Sequence, residues 1–260
     1  MNAVAPTPAS TGRRVSAVSG IVTIAKRELA AYFDAPIAYV FIVIFLLLAG
    51  FFTFTFGQFF ERGEASLVSF FSWHPWLYLF LVPAVGMRLW AEERRLGTME
   101  LLMTMPIAPW QAIIGKYLAS WIFIGIALLL TFPLIITVNW LGHPDNGVII
   151  AGYIGSLFMA GAYLAIASMT SALSRNQVVS FVLAVMACLI LVMVGFDPVT
   201  TLLARWLSPA AVEAIASFSV MTHFDGVTKG VLDFKDVVYF ASVIGFGLFT
   251  TGVIIRSQRA

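Results

Sequence analysis

Charge is what this sequence has least of. Of its 260 residues only 11% are charged, less than half the roughly 25% of a soluble globular domain, while 60% are hydrophobic and the mean hydropathy is +0.95. A soluble binding module is excluded, and the chain reads as a polytopic membrane protein. Cysteine is nearly absent too: Cys188 is alone, so there is no intrachain disulfide and no multi-cysteine metal site. It sits in an apolar run and reads as a small buried hydrophobe. No Gly-x-x-x-x-Gly-Lys-[Ser/Thr] loop is present to cradle phosphates, so P-loop ATP hydrolysis is not expected of this chain. No serine, histidine and aspartate group carries a recognisable local motif. The three histidines, His74, His143 and His223, fall in separate outer loops and read as scattered interfacial residues rather than metal ligands.

The first stretch lacks acid. Met1 to Ser19 holds Pro6, Pro8, Arg13 and Arg14 among small polar residues, which makes residues 1–18 a disordered cytosolic tail by composition. A transit peptide shares that bias, but no cleavage-like feature follows; Ile21 to Ala25 is too short for a secretory h-region. From Ser19 to Asp34 the pattern turns amphipathic, with Ile21, Ile24, Leu29 and Phe33 interleaved with Lys26, Arg27 and Glu28. A basic helix just before a span commonly lies in the membrane interface, although the same pattern also fits an ordinary helix extension.

What is abundant is apolar length. Six runs reach the roughly 20 residues that a helix needs to cross a bilayer, at about 36–58, 67–90, 114–141, 148–173, 177–196 and 237–255. Trp73, Trp76 and Trp90 are expected at the interfaces of the second span, and Pro83 is a candidate kink. With the amino terminus inside, eleven Lys and Arg face the cytosol and four face outward, which by the positive-inside rule puts both termini in the cytosol. In the fourth run Gly152, Ser156 and Ala160 recur every four residues beside Gly161 and Ala165, so a neighbouring backbone can approach closely, within the chain or across a dimer. Gly245, Gly247 and Gly252 make the last run similarly permissive. Between the fifth and sixth runs, Asp197 to Asp236 reads as two short outer helices, with Val212, Ile215 and Phe218 at helical spacing and Asp225-Gly226 as a turn.

The remaining charge is concentrated. Six charged residues lie from Arg88 to Arg95 and at Glu100, so this stretch belongs in water between two spans. Gly97 breaks the preceding helix, Thr98 is placed to cap the next one, and Glu100 suits its first turn. Pro106 ends it. Met99, Leu101, Leu102, Met103 and Met105 form a two-turn apolar cluster, too short to span, which must be buried against its own bundle, the headgroups or a partner.

The run Arg88-Leu-Trp-Ala-Glu-Glu-Arg-Arg-Leu-Gly-Thr-Met-Glu-Leu-Leu-Met-Thr-Met-Pro-Ile resembles the cytoplasmic signature of ABC-2 type transporter permeases, in particular the gliding-motility-associated branch. Met221 to Phe240 is similar to the stretch that forms an extracytoplasmic gate before the last span of that family, and the helix ending before Pro36 is similar to its interfacial helix, with Lys26, Arg27 and Glu28. The resemblance covers nearly the whole chain after the tail. It implies an all-α membrane protein with six transmembrane helices, and an ABC-2 transmembrane domain over residues 19–260.

The same resemblance implies a coupling helix that docks on a separate cytosolic ATPase, with Glu92, Glu93, Arg94, Arg95, Gly97, Thr98, Glu100, Leu101, Leu102, Met103 and Pro106 as helix and flank. ATP and Mg2+ are then cofactors of the partner, not of this chain. Further implied are a second copy or a paralogous permease, an accessory membrane protein with an extracytoplasmic domain, and a place in a bacterial inner membrane; no nucleic-acid partner is implied. Two other classes are weighed on the residues. An ion-coupled secondary transporter would usually carry ionisable groups in mid-membrane, and five of the six runs have none there. A membrane enzyme would need clustered catalytic polar groups at one depth, and none is visible.

Overall fold

The computed structural model describes residues 17–99 and 108–257. All its described regular elements are helical. They are α1 (Ala17–Asp34), α2 (Pro36–Phe51, running into a π-turn at Phe52–Phe56), α3 (Val68–Phe71), α4 (His74–Gly86) and α5 (Arg88–Leu96). After the gap come α6 (Pro109–Leu129), α7 (Phe132–Leu141), α8 (Asn146–Leu173), α9 (Gln177–Met193), α10 (Asp197–Leu203), α11 (Pro209–Ala216), α12 (Val220–Thr228) and α13 (Phe234–Ser257). Among the described residues four helical stretches are long and apolar enough to cross a membrane: 36–56, 109–141, 146–173 and 234–257. The pair 177–193 and 197–203, which bends by 67°, makes a fifth when counted as one span.

The centre of the bundle is α8. Asp145 caps its first turn, accepting from the backbone N–H of Gly147 at 2.8 Å, and the helix then runs 28 residues with Gly, Ala and Ser interspersed among its large side chains. Its small-residue stripe is used within the chain. Gly152 lies under Phe71, Gly155 under Val227, and Gly161 under Tyr117 and Trp121. On the facing last helix, a Cβ placed on Gly247 would come 2.9 Å from the Ala165 backbone, so α8 and α13 touch almost main chain to main chain. Without a hydrophobic drive between helices in lipid, such close van der Waals packing is what holds spans together.

Several sequence expectations are corrected. The second apolar run is not one helix: α4 ends at Gly86, a turn at Met87 intervenes, and α5 begins at Arg88. Pro83, four residues before Met87, supplies no N–H to its own turn, which weakens the ladder there. Trp90 is not on the bundle surface but 1% exposed in the core. The outer segment holds three short helices instead of two, and Asp225-Gly226 lies inside α12 rather than at a turn. His74 opens α4 and His223 is within α12, so neither is in a loop. Cys188 is buried, as expected.

One end of the bundle collects the start of α6, the ends of α8 and α13, and the whole of α5. Ile113 of α6 lies against Gly252 of α13, and Lys116 of α6 pairs with Glu93 of α5. The opposite end is closed by the loop before α3, where Ala65 meets Gly142, and by α12, whose following Gly230 lies against Val148 at the start of α8.

Candidate functional site

The charged segment after α4 is anchored to three other elements. The break at Met87 leaves the first amides of α5 without partners in their own helix. Ser171 of α8 takes their place: its Oγ accepts from Trp90 N–H and Ala91 N–H, each at 3.0 Å, and donates to the Met87 carbonyl at 2.8 Å. The Trp90 indole donates to Ser168 Oγ at 3.0 Å, and Arg94 donates to the Ala172 carbonyl. The cap of α5 is therefore supplied by a residue about 80 positions away.

On its other side α5 meets Lys116, whose side chain is 7% exposed. The ammonium lies 2.8 Å from Glu93 Oε1 and 3.2 Å from Glu28 Oε2, and 5.7 Å from the centre of the Trp90 ring. A buried ammonium is stable only with such compensation. Burial by itself would raise the Glu28 carboxyl, but Lys116, reinforced by Arg27, holds it below the usual carboxylate range. One lysine thus ties α1, α5 and α6 together.

The helix α1 follows α6 in register. Gly20 lies by Gln111, Ile24 by Gly115, Glu28 by Lys116, and Tyr32 by Ser120, where the two hydroxyls are 2.9 Å apart. The Tyr32 ring stacks on Phe123 at 4.9 Å. A near-constant offset along both chains means the helices run side by side in the same direction. Lys26 and Arg27 are exposed on the free side.

Gly97 ends α5 with φ +71°, a left-handed conformation that glycine adopts without a Cβ penalty. Thr98 N–H closes onto the Glu93 carbonyl at 3.0 Å. The Thr98 hydroxyl points back to the same carbonyl at 3.4 Å, so it serves the end of α5. The backbone is helical again at Met99, which packs against the core. Glu100, Leu101, Leu102, Met103 and Pro106 lie outside the described residues. The chain re-enters at Ala108, whose N–H donates to Gln111 Oε1 at 3.0 Å in the first turn of α6.

The expected site residues thus divide. Glu93 and Arg94 are engaged inside the chain, Glu92 pairs with Arg88 at 3.2 Å, and Arg95 and Thr98 face outward. Sequence reasoning passed over Lys116, Ser168 and Ser171 as site residues. Lys116 carried a signal, a lone cation within the apolar stretch from Ile113 to Ser120, whereas the two serines carried none. At the opposite end His223 lies 2.7 Å from Asp236 Oδ1 and 2.9 Å from the Ser217 carbonyl, while His74 is buried against the Phe70 carbonyl and His143 is exposed. Among the described residues no three metal-ligating side chains converge.

The family described as ABC-2 family transporter protein matches residues 65–224, which include α3 to α11, the first half of α12 and the anchored charged segment. No curated protein matches the chain.

Proposed function

Since this chain belongs to the ABC-2 transporter family, whose membrane subunits work with an ATP-binding subunit, we propose that it is the permease of an ATP-driven exporter. The reading adopts six spans with both termini in the cytosol of a bacterial inner membrane. It takes the segment from Met99 to Pro106, with Glu100, Leu101, Leu102 and Met103, as the coupling helix. ATP and Mg2+ belong to the partner, and a second copy or a paralogous permease completes the path. The gliding-motility-associated branch, with its accessory extracytoplasmic membrane protein, is the nearest reading within the family.

The observation that carries this is the anchoring of α5. A force on the Met99 to Pro106 segment reaches α5 through the two residues Gly97 and Thr98. From α5 it passes through Lys116 to α1 and α6, and through Ser171 to α8, the helix at the centre of the bundle. A short apolar segment joined so tightly to the spans is suited to transmit closure of a nucleotide-binding subunit. The exposed Arg95 is free to meet charge on that subunit.

The test is co-purification from native membranes in mild detergent with mass spectrometry of the bound chains. Recovery of a P-loop protein, lost in the Leu102→Asp/Met103→Asp double variant, supports the docking site. Unchanged transport-linked ATP hydrolysis in that variant overturns it. Uptake driven by an ion gradient without ATP would instead favour a secondary transporter.

A further inference from the structure

Two cavities adjoin beside α1, sharing Tyr32, Ile37 and Arg88 as common walls. The first, about 280 Å³, is polar: Glu28, Glu92, Glu93, Arg88 and Lys116 line it. The second, about 210 Å³, is an apolar groove between α2 and α4, lined by residues such as Val40, Phe41, Ile44, Leu81 and Phe123. Val40 and Ile44 are 54% and 42% exposed, so the groove opens on the outer face of α2. The pair places charge at the end of the spans and hydrocarbon along them, the layout of a membrane amphiphile.

The charges say which amphiphile. Three carboxylates and two cations line the polar cavity, a net charge of −1. Lys116 is neutralised by its two carboxylates, but Glu93 Oε2 is buried with no partner among the described residues. Arg88 uses only its Nε–H, toward Glu92, and its terminal N–H groups have no partner among the described residues. An unpaired carboxylate oxygen and an open guanidinium edge in one cavity complement an ammonium and a phosphate on one molecule.

We infer that this double cavity binds a phospholipid with a zwitterionic phosphoethanolamine headgroup. Its phosphate lies on the Arg88 guanidinium, its ammonium on Glu93 and Glu92, and one acyl chain lies along Val40, Phe41 and Ile44. The lipid sits against α1, α4 and α5 at the Lys116 junction, so its presence stiffens the elements that carry the charged segment. An anionic lipid adds a second uncompensated charge to a site already at −1 and is disfavoured.

The experiment is native mass spectrometry of the full chain, with whatever subunits co-purify, after exchange into micelles containing equal phosphatidylethanolamine and phosphatidylglycerol of identical acyl composition. Ethanolamine lipid should be retained at one per chain with at least a tenfold preference. Val40→Trp, a substitution at an exposed position that fills the groove, should reduce retention of both lipids about tenfold without changing the melting temperature in lipid-free micelles. Arg88→Gln should weaken ethanolamine-lipid retention, and Glu92→Gln should erode the preference for it over the glycerol lipid. Equal retention of the two lipids by the unmodified protein overturns the inference. So does retention that Val40→Trp and Arg88→Gln leave unchanged.

Discussion

Lys116 Nζ lies 2.8 Å from Glu93 Oε1, and this contact joins the charged segment after α4 to a span in the next part of the chain. Because the lysine is buried and shared with Glu28, its loss leaves Glu93 without its cation and Glu28 with Arg27 alone.

Lys116→Met should therefore lower stability by about 3 kcal/mol, the usual cost of stripping one partner from a buried pair. Adding Glu93→Gln should return more than about 1 kcal/mol, since the two positions are in contact and their effects do not add. Thermal unfolding in detergent of the single and double variants gives the coupling. A double variant as unstable as the sum of the singles contradicts the junction.

The same cluster sets an acid limit. Glu28 has its carboxyl held below the usual range, burial opposing and Lys116 together with Arg27 favouring ionisation. A lowered folded value means that the pair's stabilisation is complete above about pH 4.5 and is lost as pH falls through the lowered value. Melting temperatures followed from about pH 6 to about pH 3 should drop less steeply in Glu28→Gln than in the unmodified protein.

Ser171→Ala removes the acceptor for two amides at the start of α5 and the donor to Met87. Groups so buried cost about 1 to 3 kcal/mol when left unmade. Hydrogen exchange should show the loss as faster exchange at Trp90 and Ala91, with α13 unaffected.

Gly247→Leu drives a side chain into the Ala165 backbone and should prevent α13 from seating on α8, read as loss of folded, monodisperse protein. Gly245→Leu points into open space and should leave the elution profile unchanged. Equal behaviour of the two variants would contradict the close packing of α8 and α13.

Gly97→Ala places a Cβ on a residue at φ +71°, at a cost of about 1 to 2 kcal/mol. Gly97→Asn should be tolerated better, because asparagine visits that region more readily. The readout is the melting temperature in detergent of the two variants against the unmodified chain.

Much of this was legible along the sequence. Helical class and membrane character follow from apolar length, because a backbone in hydrocarbon must satisfy its own hydrogen bonds. The stop at Gly97 follows from the residue type, since a left-handed turn selects glycine locally. The stripe in α8 was visible as four-residue spacing, although its partners were not.

Tertiary structure alone decided the rest. Sequence pattern expected one helix from Leu67 to Trp90 because the run from Leu67 to Met87 carries no Asp, Glu, Lys or Arg; the break at Met87 persists because Ser171 of α8 satisfies the amides it frees. Trp90 reads as an interface anchor by its place near the end of an apolar run, yet it is core, with Lys116 over its ring and Ser168 accepting from its indole N–H. Glu28, Glu93 and Lys116 are scattered over nearly 90 positions, and nothing local marks them as a group. Periodicity and caps act over a few residues and are written in the order of the chain; long-range charge pairing and capping depend on which helices the bundle brings side by side.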